Sequence, residues 1–184
     1  MLRLILNEGA EHAMDFYLQR LQDAIGSVTE GMSAELLARR LTPDKWSAAE
    51  VLEHLYLTYT GTIKGFEKCI VAGKPLVRVR TWKDRTRTMV VVGCGYLPQG
   101  RKAPENAMPR GLPPDRVLAE ITQKIAVMDA AISQAEQKFG SDAALLDHPI
   151  LGPLRAQQWR KFHWVHGRHH MKQLRRLRQS LLEK

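Results

Sequence analysis

The sequence predicts an all-α fold: an antiparallel four-helix bundle with a long irregular segment between its second and third long helices. Four stretches place apolar residues three or four positions apart, the spacing that gives a helix one apolar face. Between the second and third of these stretches, residues 74–114 are basic and rich in turn-forming residues. The 184 residues fit one domain spanning 1–184, large enough to bury a core.

The first half of the chain contains two of the predicted long helices. Residues 11–28 form the first, and 31–41 form a shorter helix after a glycine. The second long helix starts at a capping box, in which Ser47 and Glu50 each satisfy a free backbone N–H at the helix start. Its apolar stripe ends at 73–75, where glycine and proline stop a helix. The stripe comprises Val51, Leu55, Tyr59, Ile63, Phe66 and Ile70.

Residues 74–114 are predicted to be an insertion or rim on the bundle. The alternation in "VRVRTW" and the β-branched "TMVVVGCGY" indicate a short hairpin, and "LPQGRKAPENAMPRGLPP" is too rich in turns for a helix. Irregular segments of this length inside a domain tend to be functional or mobile.

Two further helices complete the predicted bundle. The third begins with Asp115 as its cap and stops near Gly140, and the fourth runs from about residue 154 to 182. Between them, "DHPILGP" predicts a turn that His148 caps or braces.

The net charge of +9 is concentrated in two stretches. Residues 74–102 hold eight Lys and Arg against Asp84, and residues 159–184 hold eight against Glu183. Such fields attract nucleic acid, acidic lipid or a small anionic ligand, although a merely solvated face has the same composition. No apolar run approaches the roughly 20 residues of a membrane span. Two cysteines without CxxC spacing argue against a disulfide framework, so a cytoplasmic protein is expected.

The histidines are the candidate functional residues. Four of the seven fall within "HWVHGRHH" (163–170). His166 and His170 are four positions apart, on one face of the last helix, and can reach one metal ion together. Two surface histidines would show the same spacing. A third ligand from elsewhere is also needed, because two histidines alone leave a divalent ion under-coordinated. His54, on the second helix, is the candidate, because antiparallel packing of that helix on the fourth would bring it towards the pair.

The remaining polar residues near these histidines have weaker assignments. Glu50, His163 and Gln173 could orient the ligands from a second layer, although capping is the simpler role of Glu50. His163 could equally be a proton shuttle or a mere neighbour, and Gln173 a polar residue of the bundle face. His169 lies about 100° around the helix from His170 and is the weakest candidate ligand. His12 has no assigned role.

Three neutral imidazoles favour Zn²⁺ or Ni²⁺ over Mg²⁺ or Ca²⁺, which prefer oxygen ligands. Three protein ligands also leave a coordination position for water or substrate, as in catalytic zinc sites.

Two segments, "KWSAAEVLEHL" (45–55) and "HPILGPLRAQQWRKFHWVHGRHHMKQL" (148–174), resemble the DinB/YfiT-like metalloenzyme superfamily. The second is especially similar to a branch of domains of unknown function that ends in HPxxGxL…QW…H…HH…Q. "LPQGRKAPENAMP" looks like the loop before the third helix of that branch. The resemblance covers most of the chain, whereas the arginine-rich segment 77–88 matches no motif of the family.

The resemblance implies a four-helix bundle that holds a divalent metal, commonly nickel or zinc, through one histidine of the second helix and an H-x-x-x-H pair of the last. These roles fall on His54, His166 and His170. Some relatives are thiol-dependent S-transferases or isomerases that use bacillithiol or mycothiol, others have no established activity, and many are homodimers.

The leading hypothesis is therefore a metal-dependent transferase or hydrolase that activates a thiol or water and acts on a small thiol or anionic molecule. A homodimer is expected and a membrane partner is not. One alternative is a nucleic-acid-binding or regulatory bundle that uses the basic stretches, although no recognisable nucleic-acid motif supports it. Another is a non-catalytic bundle that keeps its histidines for structural reasons.

Overall fold

The computed structural model describes residues 13–98, 100 and 102–183, a mostly helical chain with a small two-stranded sheet. Residues 11 and 12, where the first predicted helix begins, and therefore His12, lie outside the described residues, as do Arg101 and Lys184 of the basic stretches. The elements are α1 (Phe16–Thr29), α2 (Ala34–Ala38), α3 (Ala48–Ala72), α4 (Trp82–Thr88), a π-helix (Met89–Gly93), a 3₁₀ helix (Glu105–Ala107), α5 (Pro114–Phe139), β1 (Ala144–His148), β2 (Gly152–Arg155) and α6 (Ala156–Leu182).

The ends of α3 follow the predicted capping chemistry. The Ser47 side chain accepts the N–H of Glu50, and the Glu50 carboxylate accepts the N–H of Ser47, which confirms the capping box. Gly73 ends the helix in the left-handed region with φ 66°, a conformation that glycine adopts without steric cost. Between these caps the predicted apolar stripe is buried from Val51 to Phe66 and half-buried at Ile70.

The long helices pack around one core, α3 mainly against α5 and α1 mainly against α6. Gly167 of α6 permits a close approach to α1, because a Cβ there would lie 2.2 Å from Cδ1 of the buried Leu21. The prediction that Asp115 caps α5 is wrong: Pro113 is the N-cap, two positions earlier, and Asp115 lies in the first turn of the helix. Among the described residues, no helix is both long enough and apolar enough to cross a membrane.

The hairpin predicted from "VRVRTW" and "TMVVVGCGY" is wrong: residues 77–81 form no regular element, and residues 82–93 are helical, forming α4 and the π-helix. The irregular insertion of 74–114 is accordingly regular in part. Thr81 and Asp84 form a capping box that starts α4. Asp84 is buried and accepts hydrogen bonds from Arg78 at 2.6 and 2.8 Å. This contact holds the pKa of Asp84 far below its usual range. Local capping and this ion pair therefore override the β propensity of the valines.

The two strands form where the sequence predicted a turn. β1 and β2 pair antiparallel, with His148 opposite Gly152, and residues 149–151 connect them. Leu76 adds an isolated parallel bridge to Leu146. The prediction that His148 braces this turn is confirmed, because its Nδ1 accepts the backbone N–H of Ile150 and of Leu151. We name residues 148–151 the His148 turn.

Replacing Gly152 with alanine is expected to lower the free energy of unfolding by more than a left-handed alanine alone. Gly152 has φ 73°, and a Cβ there would lie 2.6 Å from Cγ of the buried Asp84. Left-handed backbone costs about 1–2 kcal/mol, and overpacking adds about 1–3 kcal/mol. Urea unfolding measures the total. Gly31→Ala is the matched control, because Gly31 has φ 72° and open space around it. Equal losses in the two variants would contradict the contact with Asp84.

Candidate metal centre

His54 of α3 and His166 and His170 of α6 lie together, and we name them the three-histidine cluster. Nε2 of His166 is 3.2 Å from Nε2 of His54 and 3.1 Å from Nε2 of His170. One ring nitrogen from each residue lies within 4.8 Å of the other two. In a tetrahedral zinc site with Zn–N distances of about 2.0–2.1 Å, ligand nitrogens lie roughly 3.3 Å apart. The spacing therefore suits three nitrogens bound to one ion.

Two of the three rings have their other nitrogen in a hydrogen bond. Nδ1 of His54 lies 2.8 Å from the carbonyl oxygen of Ala107, in the 3₁₀ helix. Nδ1 of His170 lies 3.2 Å from Oε1 of Gln173. Since a carbonyl oxygen only accepts, the Ala107 contact places the proton of neutral His54 on Nδ1 and leaves a lone pair on Nε2. Because Oε1 of Gln173 is the amide atom that faces the ring, this contact likewise places the proton of neutral His170 on Nδ1 and leaves a lone pair on Nε2.

His166 has no arrangement of protons that satisfies every nitrogen of the cluster. Its Nδ1 is buried and has no hydrogen-bond partner within the described part of the chain. A proton on Nε2 of His166 could be donated to Nε2 of His54 or of His170, which would leave the lone pair of the other ring without a donor. A proton on Nδ1 would lack an acceptor and bring three lone pairs together. A cation bound by the three Nε2 atoms pairs all three lone pairs and leaves only the Nδ1–H of His166 without a partner among the described residues, so the residues fit a divalent metal.

The surroundings keep these imidazoles neutral. Burial is the largest cause that lowers the pKa of His54, of His166 and of His170, the last to about 3. Mutual repulsion also lowers the pKa of His166 and His170. The Phe162 ring stacks on His166, with centroids 5.6 Å apart. The neutral ring is the form that binds a metal, so the desolvated cluster favours the ligand state at neutral pH.

Glu50 lies away from the cluster contacts. Its carboxylate caps α3 and forms an ion pair with Arg40. The capping role therefore accounts for this residue, and the suggested role as an orienting group has no contact to support it.

His163 is fully buried, and its Nε2 lies 3.1 Å from Oγ1 of Thr62. Its ring packs against Tyr59 and Trp159 and not directly against the cluster. His169 contacts only the outer edge of the cluster, with its ring centroid 5.1 Å from that of His170.

A cavity of about 530 Å³ borders the cluster. All three cluster histidines line it, together with apolar side chains such as Leu57, Val91 and Leu97. Arg87 and Lys102, which come from the basic segment 74–102, also line it. Volumes of 300–1,000 Å³ with apolar walls and few polar groups are typical of small-molecule sites.

Sequence reasoning missed several residues of this site. The Ala107 carbonyl has no signal in the sequence, because any residue could supply it. Phe162 and Trp46, whose rings pack on His166 and His54, read as ordinary apolar positions. Only the amphipathic spacing of α6 could have placed Phe162 one turn before His166.

A family model described as "Protein of unknown function (DUF1569)" matches residues 10–177. The chain belongs to this family. The DUF1569 match includes all three cluster histidines and the whole cavity wall described above. Since the description names no activity, DUF1569 membership leaves the reaction to be inferred from the site. Neither a curated protein nor a solved structure matches the chain.

Proposed function

We propose that this protein is a metal-dependent enzyme in which His54, His166 and His170 hold one divalent ion, Zn²⁺ or Ni²⁺. The convergence of three Nε2 atoms, two of them on rings whose Nδ1 is hydrogen-bonded, carries the proposal. We further propose that α1, α3, α5 and α6 form an antiparallel four-helix bundle of the DinB/YfiT-like superfamily. The helical contacts and the order of the histidines along the chain support this assignment.

A divalent ion bound by three imidazoles lowers the pKa of a coordinated thiol or water and so supplies a nucleophile near neutral pH. The chain's own residues prepare the site for it. Ala107 and Gln173 orient two ligand rings, which raises the basicity of their Nε2 atoms. Phe162 and Trp46 cover the rings and exclude water. The apolar cavity holds the substrate beside the ligands.

The substrate that fits this cavity is a small thiol or an anionic molecule. Among the described residues, Arg87 and Lys102 are the Arg and Lys of its wall, and they favour an anion over a neutral ligand. Thiol S-transfer is the reaction we propose first, with metal-assisted hydrolysis second. A homodimer in the cytoplasm is part of the same proposal.

The alternative, a nucleic-acid-binding bundle, requires the basic stretches to be free for phosphate contacts. Several of their arginines bond within the protein instead: Arg78 pairs with Asp84, Arg160 with Asp129 and Glu136, and Arg168 donates to the Gly95 carbonyl. We therefore favour the small-molecule enzyme. Salt-dependent binding of DNA or RNA would favour the alternative.

The protein purified without an affinity tag is expected to contain close to one divalent ion per chain by elemental analysis. His54→Ala and His166→Ala each remove a ligand, and the two remaining imidazoles leave a divalent ion under-coordinated. Metal content in both variants should fall to near zero.

His169→Ala is the matched control, since His169 lines the same cavity on the same helix but lies at the edge of the cluster. Its metal content should equal that of the unsubstituted protein. A content near zero in the unsubstituted protein, or unchanged in both ligand variants, would overturn the proposed metal site.

A further inference from the structure

The His148 turn determines which nitrogen of His148 carries the proton. The backbone N–H groups of Ile150 and Leu151 donate to Nδ1 at 3.1 and 3.2 Å. A nitrogen that accepts hydrogen bonds holds a lone pair, so the proton of the neutral ring is on Nε2. The backbone thus selects one tautomer.

The same ring lines the cavity beside the three-histidine cluster. It packs against Phe162 and Trp159, with centroids 4.3 and 5.3 Å away, which fixes its orientation. Burial lowers the pKa of His148 to about 4, so the ring is neutral at pH 7. Within the described residues, Nε2 has no hydrogen-bond acceptor, although it is not enclosed by protein. Its N–H is therefore a donor available to a ligand.

The His148 turn also holds the guanidinium of Arg87 in place. Nη1 of Arg87 donates to the carbonyl of Ile150 at 3.2 Å, and Oγ1 of Thr88 donates to the carbonyl of Leu151 at 3.2 Å. These bonds dock the end of α4 onto the turn and hold the Arg87 guanidinium at the cavity wall. The other N–H groups of the guanidinium face no protein acceptor within the described residues.

One acidic residue also borders the cavity. Asp147 precedes His148 in β1, so their side chains point to opposite faces of the strand. Its Oδ2 accepts the N–H of Arg78 at 3.0 Å, beside the positive charge of that residue. This bond holds Oδ2 at residue 78, whereas Oδ1 is buried and has no hydrogen-bond partner among the described residues.

We propose that Nε2–H of His148 and the guanidinium of Arg87 form an oxyanion-binding subsite that receives a carboxylate or phosphate group of the substrate. The turn supplies the geometry: it orients the neutral donor through two N–H bonds and the cation through one carbonyl. Apolar residues of the cavity wall, such as Leu57, Val91 and Leu97, contact the rest of the ligand. This subsite deepens the proposed function, because it defines the substrate that the metal centre would meet.

The test measures binding of hexanoate and hexyl phosphate by calorimetry, with hexan-1-ol as the neutral probe of equal chain length. The protein is treated with a chelator, so that an anion cannot bind to a metal ion. Both anions should bind more tightly than the alcohol. A hydrogen bond to a charged group contributes about 1.5–3 kcal/mol, which corresponds to roughly tenfold to a hundredfold in affinity.

His148→Asn isolates the donor, because an asparagine oxygen can accept the two turn N–H groups but the side chain lacks the Nε2–H. It should weaken binding of both anions tenfold or more and leave binding of hexan-1-ol unchanged. Arg87→Gln should also weaken anion binding. Arg85→Gln is the control, since this substitution removes the same charge from the same helix at a residue outside the cavity wall.

Thermal unfolding of each variant shows whether it is folded, and a direct ¹H–¹⁵N spectrum of the histidines reports the tautomer of His148 independently of any substitution. The proposal is overturned by equal binding of anions and alcohol, by unchanged anion affinity in His148→Asn, or by a proton on Nδ1. Preference for one anion identifies a carboxylate or a phosphate. If the protein as purified contains no metal but its anion binding depends on His148, the metal site alone is contradicted. If the protein as purified contains metal but its anion binding does not depend on His148, the subsite alone is contradicted.

Discussion

Replacing Arg160 with methionine is expected to lower the free energy of unfolding by about 3–5 kcal/mol, the largest loss of stability that we predict for a single substitution. Arg160 is 5% exposed and lies within the helical core. Its Nε donates to Oδ1 of Asp129 at 2.9 Å, and its Nη1 donates to Oε2 of Glu136 at 2.6 Å. Its Nη2 donates to Oγ of Ser133 at 2.7 Å.

The expected cost comes from the carboxylate that remains. Asp129 is 2% exposed, and its Oδ2 already accepts the backbone N–H of Asp15, which ties the start of α1 to α5. Methionine fills much of the arginine volume but removes the charge-assisted hydrogen bond from Nε of Arg160 to Asp129. Removing one partner of a buried ion pair costs far more than a neutral hydrogen bond does.

Urea unfolding with linear extrapolation measures the loss, and the melting temperature should fall by roughly 10 °C. Arg155→Met is the matched control. The side chains of Arg155 and its partner Asp142 are 52% and 93% exposed, and surface pairs contribute at most about 1 kcal/mol. Similar losses in the two variants would show that Asp129 is not held by Arg160 in solution.

Replacing His166 with leucine is expected to change stability in opposite directions with and without metal. At a free metal concentration of 100 times Kd, binding to the folded state stabilises the unsubstituted protein by about 2.7 kcal/mol. The variant lacks one ligand and should not gain this stability. In chelator, the variant should be as stable as the unsubstituted protein or more stable, because it loses a buried Nδ1 that has no partner among the described residues.

Thermal unfolding in EDTA and in excess Zn²⁺ or Ni²⁺ measures both effects, with an expected rise of roughly 5–10 °C on metal addition for the unsubstituted protein. His169→Leu should keep the full rise, since it leaves the cluster intact. An equal rise in His166→Leu, or none in the unsubstituted protein, would contradict metal binding by the cluster.

The helices were predictable because their signals are local. The Ser47 and Glu50 capping box and the apolar stripe of α3 each depend on residues within a few turns of one another. The segment 77–94 was mispredicted because its outcome depends on Asp84, whose carboxylate caps α4 and pairs with Arg78 at the same time. Alternating valines form a strand only when they pair along a neighbouring strand, and here the pairing with β1 is limited to the isolated bridge between Leu76 and Leu146.

The candidate site divides in the same way. Helical spacing placed His166 and His170 on one face of α6 without any knowledge of the fold. The expected antiparallel packing of the second and fourth long helices made His54 the candidate partner, and the resemblance to a known superfamily implied the same three residues. The sequence alone therefore determined the long helices, the capping box of α3 and the choice of the three histidines. Only the tertiary structure decided that Ala107 and Gln173 contact the rings of His54 and His170, and that His148 and Arg87 share one turn. The physical reason is that hydrogen-bond partners, burial and tautomers depend on residues distant in the chain, and these meet only when the core has packed.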